Sequence, residues 1–298
     1  MEDINLTFLG TGNAVPTEKR NHTSILASFA NENILIDCGE GTQRQLKVAK
    51  ISASKITRIF ITHWHGDHIL GLPGLLQTLA MTDYQKTLKI YGPQGTKYFM
   101  SLIEKLMTSF KIKIEIYEVV GEFIKEKFWS AHCLPMNHGC PANAYSITLN
   151  DRIRLKKDKI KKLKLPNSPL IGQLSAGKDI VFNKKKIKAK DVTYQEKGKK
   201  VTFILDTGMN ENALRLAANS DLLITESTFS SKEAEQAKEY KHLTSQDAAT
   251  IAKKSKSKKL ILTHISQRYE HNTKPIEQEA KKIFKNTKIV SDLDSIKV

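Results

Sequence analysis

The sequence predicts an α/β fold in which two sheets pack face to face with helices on the outside. Two observations carry that expectation. Short apolar or β-branched runs alternate with helix-length segments along the 298 residues, the pattern that layered α/β proteins require. The alternation also occurs twice, once on each side of a lysine-rich stretch near 151–190 that fits neither half. Length alone admits one large domain or two ordinary ones. A hydrophobic content of 40% supplies a full core at this size.

In the first half, residues 4–9, 23–29 and 33–37 read as short strands separated by Gly, Asn and Pro signals. Residues 42–49 have helical character, 58–62 form a strand, and 68–81 form an apolar helix. A strand at 89–91, a helix near 95–108, and strands near 113–119, 123–131 and 145–153 follow. The second half resumes with a strand at 201–205, a helix over 211–218, a strand at 222–225, helices near 232–240 and 245–254, and a strand at 259–263. A last helix follows Pro275.

Between the halves, 156–165 reads as a short basic helix that Pro166-Asn167-Ser168-Pro169 ends, and Ser175-Ala176-Gly177 makes a turn. The apolar spacing of Ile153, Leu155, Ile160, Leu163 and Leu165 argues for an ordered inserted arm over a disordered lysine-rich loop.

The three cysteines, Cys38, Cys133 and Cys140, form no CxxC pair, so neither a disulfide framework nor a cysteine zinc knuckle is indicated. A reducing, cytoplasmic setting is the expectation. The N-terminus is too briefly apolar for a secretion signal, and no run approaches the roughly 18 residues of a membrane span. Net charge is +17, and residues 151–200 hold 17 Lys or Arg against 5 Asp or Glu, a surplus of 12. Charge concentrated in this way attracts phosphate backbones. The competing readings are a solvated lysine-rich face and a lipid-surface patch.

Thr62-His63-Trp64-His65-Gly66-Asp67-His68 places three imidazoles and a carboxylate directly after the apolar run Ile59-Phe60-Ile61. These are the usual ligand types of zinc, and burying them without partners is costly. A metal site is the working expectation; a polar loop with scattered histidines is the alternative. A centre holding two ions about 3.5–4 Å apart also needs a shared ligand and donors from distant strands. His138, Asp206 and His264 each follow an extended or apolar run and are the candidates. Taken singly, each such residue is more often a cap or turn residue than a ligand.

The heptad and the following His68-Ile69-Leu70-Gly71-Leu72-Pro73-Gly74-Leu75-Leu76 resemble the signature of the metallo-β-lactamase superfamily, and in particular of the ribonuclease Z family. Ile36-Asp37-Cys38-Gly39-Glu40-Gly41-Thr42-Gln43-Arg44-Gln45-Leu46 and Leu262-Thr263-His264-Ile265-Ser266-Gln267-Arg268-Tyr269 resemble segments typical of that family. So do His242-Leu243-Thr244-Ser245 and Thr225-Glu226-Ser227-Thr228-Phe229. The matches run from Leu9 to Tyr269.

The resemblance implies a single domain over 1–298, an αββα sandwich with an inserted arm at about 151–190. It implies two zinc ions per subunit: one held by His63, His65 and His138, the other by Asp67, His68 and His264, with Asp206 bridging. Asp67 would orient or deprotonate the attacking water, and His242 paired to Glu226 would protonate the leaving 3′-oxygen. The activity implied is removal of 3′ trailers from precursor tRNA, leaving a 3′-hydroxyl on the tRNA and a 5′-phosphate on the trailer.

The family's arm clasps the tRNA body, and its homodimer lets one subunit's arm serve the other's active site. Arg152, Arg154, Lys156, Lys157, Lys161 and Lys162 are the arm candidates for that contact, with Lys19, Arg20 and Arg268 nearer the 3′ end. For His242, the alternative is a residue that merely precedes the helix cap Thr244-Ser245-Gln246-Asp247.

Three departures from the family pattern stand out: Leu205 and Gly208 flank the Asp206-Thr207 pair where the family has Gly and Arg, Pro166-Asn167-Ser168-Pro169 replaces a Gly-Pro pair, and Glu18 takes a usual lysine position. Two other function classes use the same features. One is a phosphodiesterase of this fold acting on small phosphodiesters such as cyclic nucleotides, which has no need of the arm's charge; the other is a non-catalytic tRNA-binding protein, against which the seven filled ligand positions argue. Cys38, Cys133, Cys140 and Trp64 are expected to pack, and His22, His132 and His271 to be surface or satisfied core residues.

Overall fold

The computed structural model describes residues 3–107, 112–166 and 168–298. Two seven-stranded sheets form the body. The first runs, edge to edge, through Ser295–Lys297, Asn5–Gly10, Ser24–Phe29, Glu32–Ile36, Arg58–Phe60, Thr87–Gly92 and Lys113–Glu118. The second runs through Thr287–Ile289, Leu260–Thr263, Leu222–Glu226, Lys200–Ile204, Asn143–Leu149, Trp129–Pro135 and Gly121–Lys125.

Each sheet is antiparallel on one side and parallel on the other, the parallel parts being Glu32–Ile36 through Lys113–Glu118 and Lys200–Ile204 through Thr287–Ile289. Parallel neighbours need long crossovers, and helices on the outer faces accompany them.

The strands are apolar on both sides because both sides are buried. In Glu32–Ile36, Ile34 and Ile36 enter the cluster between the sheets, where Phe60, Tyr145 and Phe203 also sit, while Leu35 faces outward. That outer face is covered by Thr42–Val48, Leu72–Met81 and Thr96–Leu106. Glu211–Ala217, Ser245–Lys254 and Lys274–Ile283 cover the second sheet in the same way. The layer order is therefore the expected αββα.

Several expected elements divide. The helix over 68–81 is two, Gly66–Ile69 and Leu72–Met81. They part at Gly71, whose N–H donates to the Cys38 carbonyl at 2.9 Å and where a Cβ would strike the Gly39 carbonyl. The strand over 123–131 is a hairpin of Gly121–Lys125 and Trp129–Pro135, and 145–153 parts into Asn143–Leu149 and Arg152–Leu155. The helix over 232–240 opens with a 3-10 turn, Ser231–Glu233. Thr108 and Asn167, expected at a helix end and in the arm's breaker, lie outside the described residues, as do Met1 and Glu2.

The arm is folded and closes later than 190. Arg152–Leu155 pairs antiparallel with Thr193–Glu196 at its root, Arg152 opposite Glu196. Beyond the root lie the helices Lys157–Lys162 and Pro169–Ser175, the hairpin Ile180–Phe182 with Lys185–Ile187, and the short helix Ala189–Val192. Leu165, Leu174, Ile180 and Ile187 give the arm its own buried cluster, with Leu155 and Ile160 packed on it. Among the described residues, no helix is long and apolar enough to cross a membrane.

Candidate metal centre and acid pair

The site forms where strands of both sheets end. Arg58–Phe60 delivers Thr62 and the heptad, Trp129–Pro135 delivers His138, Lys200–Ile204 delivers Asp206, and Leu260–Thr263 delivers His264. The chain turns sharply at these ends: Asp37, Asp206 and His264 adopt the left-handed region at φ 56°, 47° and 55°. Asp and His tolerate that region better than bulkier residues, although each such position costs about 1–3 kcal/mol. Across the seam, Asn143 N donates to the Thr62 carbonyl at 2.8 Å and the Tyr145 hydroxyl to the Ile61 carbonyl at 2.7 Å.

Two donor sets adjoin and share one carboxylate. His63, His65, His138 and Asp206 present one set, and Asp67, His68, Asp206 and His264 the other, the ligand atoms of each lying within 4.8 Å of one another. In the first, His65 Nδ1 and His138 Nε2 are 3.2 Å apart and His63 Nε2 is 3.6 Å from Asp206 Oδ2. In the second, His68 Nε2 and His264 Nε2 are each 3.3 Å from Asp67 Oδ2, and His264 Nε2 is 3.1 Å from Asp206 Oδ1. Sequence reasoning named all seven of these residues, and the fold brings them together.

The residues fit a pair of divalent cations. His63 Nε2 and Asp206 Oδ1 are buried without a hydrogen-bond partner, an arrangement costly for packing alone and natural for metal donors. Four of the five histidines have their other ring nitrogen tethered: His63 Nδ1 to Thr62 Oγ1 at 3.1 Å, His68 Nδ1 to Asp37 Oδ2 at 2.7 Å, His138 Nδ1 to the Lys241 carbonyl at 3.3 Å and His264 Nδ1 to Thr228 Oγ1 at 2.9 Å. Such outer contacts fix the tautomer and aim the free nitrogen at a metal.

Asp37 was not singled out from sequence, though an acid closing an apolar strand was the available signal. It also accepts from Thr62 N and Oγ1, both at 2.7 Å.

The electrostatics divide the histidines, favouring positive charge on His68 and disfavouring it on His63. Burial opposes a charge on His68, but Asp206, Asp37 and Asp67 hold it well above the ordinary imidazole value. Burial also works against ionisation of Asp67, yet His68 and His264 keep its carboxyl well below the usual carboxylate range. Burial, reinforced by His68, pushes His63 well down, which leaves a neutral imidazole suited to ligation.

Beside this centre, His242 Nδ1 lies 2.9 Å from Glu226 Oε2 and 3.1 Å from Oε1. Glu226 is fully buried and also accepts from Thr207 N and Thr228 Oγ1, each at 2.6 Å. Burial disfavours the imidazolium of His242, but the Glu226 carboxylate outweighs it and raises the group to about 9. Thr244 caps the following helix in a capping box with Asp247, so the cap forms without the His242 side chain. The ring is left to face the centre, 5.2 Å from that of His138 and 5.8 Å from that of His264.

The proposed substrate contacts sort differently. Lys19 is exposed. Arg20 is 6% exposed and donates to Thr11 Oγ1 at 2.6 Å and the Val290 carbonyl at 2.8 Å, so it braces its loop from inside. Arg268 is exposed, its guanidinium 5.1 Å from the centroid of the Phe229 ring. In the arm, Lys157, Lys161 and Lys162 are exposed and Lys156 half-buried, while Arg154 is bound to Glu196 at 2.7 Å and Arg152 covers the Phe128 ring at 4.5 Å.

Leu205 fills the core between the sheets, and Gly208 N donates to the Asn137 carbonyl at 2.9 Å, so neither departure disturbs Asp206. Trp64 stacks on Phe99 and donates to Thr96 Oγ1. Cys38 and Cys133 are buried and Cys140 half-buried, while His22 is buried, His132 exposed and His271 exposed.

The fold and the paired donor sets define a metallo-β-lactamase-fold protein. The metallo-β-lactamase fold protein YhfI from Bacillus subtilis matches with a TM-score of 0.74 and 18% identity, over 100% of both chains. Ribonuclease Z of Enterococcus faecalis is 40% identical over 99% of this chain and 97% of its own length, and ribonuclease Z of Methanothermobacter thermautotrophicus 38% over 99% and 97%.

The chain belongs to the ribonuclease Z family. The crystal structure of human tRNase Z, short form, matches with a TM-score of 0.71 and 26% identity over 98% of each chain. Residues 4–289 also match the family model described as anti-Pycsar protein Apyc1, so the chain falls within that grouping as well.

Proposed function

We propose that this protein is a zinc-dependent endoribonuclease that removes 3′ trailers from precursor tRNA. It is a hydrolase by membership of its family. The observation that carries the reading is the shared, buried Asp206, which joins two donor sets next to a histidine paired to a buried carboxylate. When bound, two zinc ions would supply Lewis acidity that makes water a nucleophile near neutral pH and offsets charge on the phosphoryl oxygens.

The chain's own groups divide the remaining work. His63, His65 and His138 would hold one ion, Asp67, His68 and His264 the other, with Asp206 available to both sets. Asp67, kept ionised by its histidine neighbours, orients the attacking water or takes its proton. His242, with Nδ1 committed to Glu226, presents Nε2–H to the departing 3′-oxygen. A P–O bond forms to the water oxygen as the P–O3′ bond breaks, which leaves a 3′-hydroxyl on the tRNA and a 5′-phosphate on the trailer. Lys157, Lys161 and Lys162 contact the tRNA backbone, which positions the substrate without reading bases. Lys19 and Arg268 serve nearer the 3′ end, and Arg20 supports the loop that carries Lys19.

A homodimer, in which one arm serves the partner's centre, and a cytoplasmic setting complete the reading. The test is to incubate the zinc-loaded protein with 3′-extended precursor tRNAs, with and without an encoded CCA, and to map both product ends. Intact precursors alongside hydrolysis of cyclic nucleotides or other small phosphodiesters would transfer the assignment to a small-molecule phosphodiesterase. No hydrolysis of any phosphodiester by fully metallated protein would leave a tRNA-binding role.

A further inference from the structure

We propose that the Thr228 hydroxyl is a positioning group that joins the metal ligand His264 to the acid pair Glu226 and His242. Thr228 lies just past the strand Leu222–Glu226 and is 3% exposed. Its Oγ1 is 2.6 Å from Glu226 Oε2 and 2.9 Å from His264 Nδ1. A hydroxyl has one proton to give and two lone pairs. A carboxylate can only accept, so Thr228 donates to Glu226 and accepts from His264. That order places the His264 proton on Nδ1 and leaves Nε2, 3.1 Å from Asp206 Oδ1, bare for ligation.

The same Glu226 oxygen accepts from His242 Nδ1 at 2.9 Å, so a single path runs from the ligand ring through Thr228 and Glu226 to the acid. Two further contacts tie the acid to the other donors. Thr207, adjacent to Asp206, gives its N–H to Glu226 at 2.6 Å, and the carbonyl of Lys241, adjacent to His242, accepts from His138 Nδ1 at 3.3 Å. These two use backbone atoms of Thr207 and Lys241, which any side chain at those positions preserves. The Thr228 link depends on one oxygen, and a valine of the same shape would leave the His264 N–H unpartnered in a dry site and take from Glu226 Oε2 one of its two donors, leaving only His242.

The inference rests on the reading of His242 as the acid, and two substrates separate the two claims. A 3′-alkoxide leaving group needs a proton, whereas the p-nitrophenolate of bis(p-nitrophenyl) phosphate departs without one. Thr228→Val is expected to lower kcat on precursor tRNA by about 10–100-fold, with KM little changed and a much smaller loss on the chromogenic ester at full zinc occupancy. In competition with a chelator the same variant should release zinc about tenfold more readily. Thr228→Ser, which keeps the hydroxyl, should restore all three readouts.

Equal losses on both substrates at full occupancy, a serine variant as impaired as the valine one, or an unimpaired valine variant would each overturn the proposal. Should the valine variant lose its cooperative melt, Thr228→Ala against Thr228→Ser makes the same comparison. If the parent enzyme leaves precursor tRNA intact, the functional reading fails, and zinc retention in the valine and serine variants still decides the role of Thr228.

Discussion

At the seam between the sheets, His63, His68, Asp206 and His264 are buried and their outer contacts are made by specific groups on either side. In the arm, Lys157, Lys161 and Lys162 are exposed and sit on a frame held by a small cluster around Leu174. The first region works through the identity of each residue, because a buried donor has no substitute when its partner is removed. On the proposed function the second would work through the number of its charges, since exposed lysines contribute to phosphate binding in small and nearly interchangeable amounts. Changes at the seam should therefore be abrupt and changes in the arm graded.

The sharpest way to break that division is Asp206→Ala, which removes the carboxylate common to both donor sets. Activity should fall to background and zinc content to less than about one ion per chain, measured by metal analysis of the purified protein. Retention of two ions would refute the bridging role.

His242→Ala should come next, slowing precursor tRNA cleavage by about 10²–10⁴-fold with zinc content unchanged. A loss of zinc would make His242 structural. Replacing 152–196 with a short linker, which respects the pairing of Arg152–Leu155 with Thr193–Glu196, should lower kcat/KM on precursor tRNA by about 10–100-fold and spare bis(p-nitrophenyl) phosphate. Equal loss of both would show that the arm is part of the body's stability.

A smaller effect is expected from Lys157, Lys161 and Lys162 changed together to Gln. The slope of log KM against log salt should flatten by roughly one unit for each phosphate that is no longer neutralised, with kcat unmoved.

The smallest effect concerns the metal-free protein, where His242 should titrate at about 9 by NMR and shift down in Glu226→Gln. The sign follows from a folded value raised above the unfolded one, about 6.5. The pair's stabilisation is fully present below that unfolded value and is lost as pH rises through about 9.

The heptad was legible because ligand chemistry is carried by residue type, and the alternation of strands and helices located the later donors at strand ends. What escaped the sequence depended on distant partners. The break at Gly71 lies inside an apolar helical pattern and arises from docking against Cys38 and Gly39. The hairpin between Lys125 and Trp129 turns on Glu126-Lys127-Phe128, which contains no glycine or proline.

Arg20 carried a charge that suggested a surface role. Its partners, Thr11 and the Val290 carbonyl, come from opposite ends of the chain and draw it inside. Thr228 sat in a motif already noted, but its link to His264 exists only once the strands Leu222–Glu226 and Leu260–Thr263 lie side by side.

One consequence follows from where the donors originate. His63, His65, Asp67 and His68 follow a strand of one sheet, and His138, Asp206 and His264 follow strands of the other. Any cation held by both groups fastens the two layers to each other and has no comparable site on an unfolded chain. A metal bound there would thus act as a folding ligand as well as a reagent. Free metal at 100 times its dissociation constant adds about 2.7 kcal/mol to stability for one site, so the melting temperature becomes a gauge of metal supply.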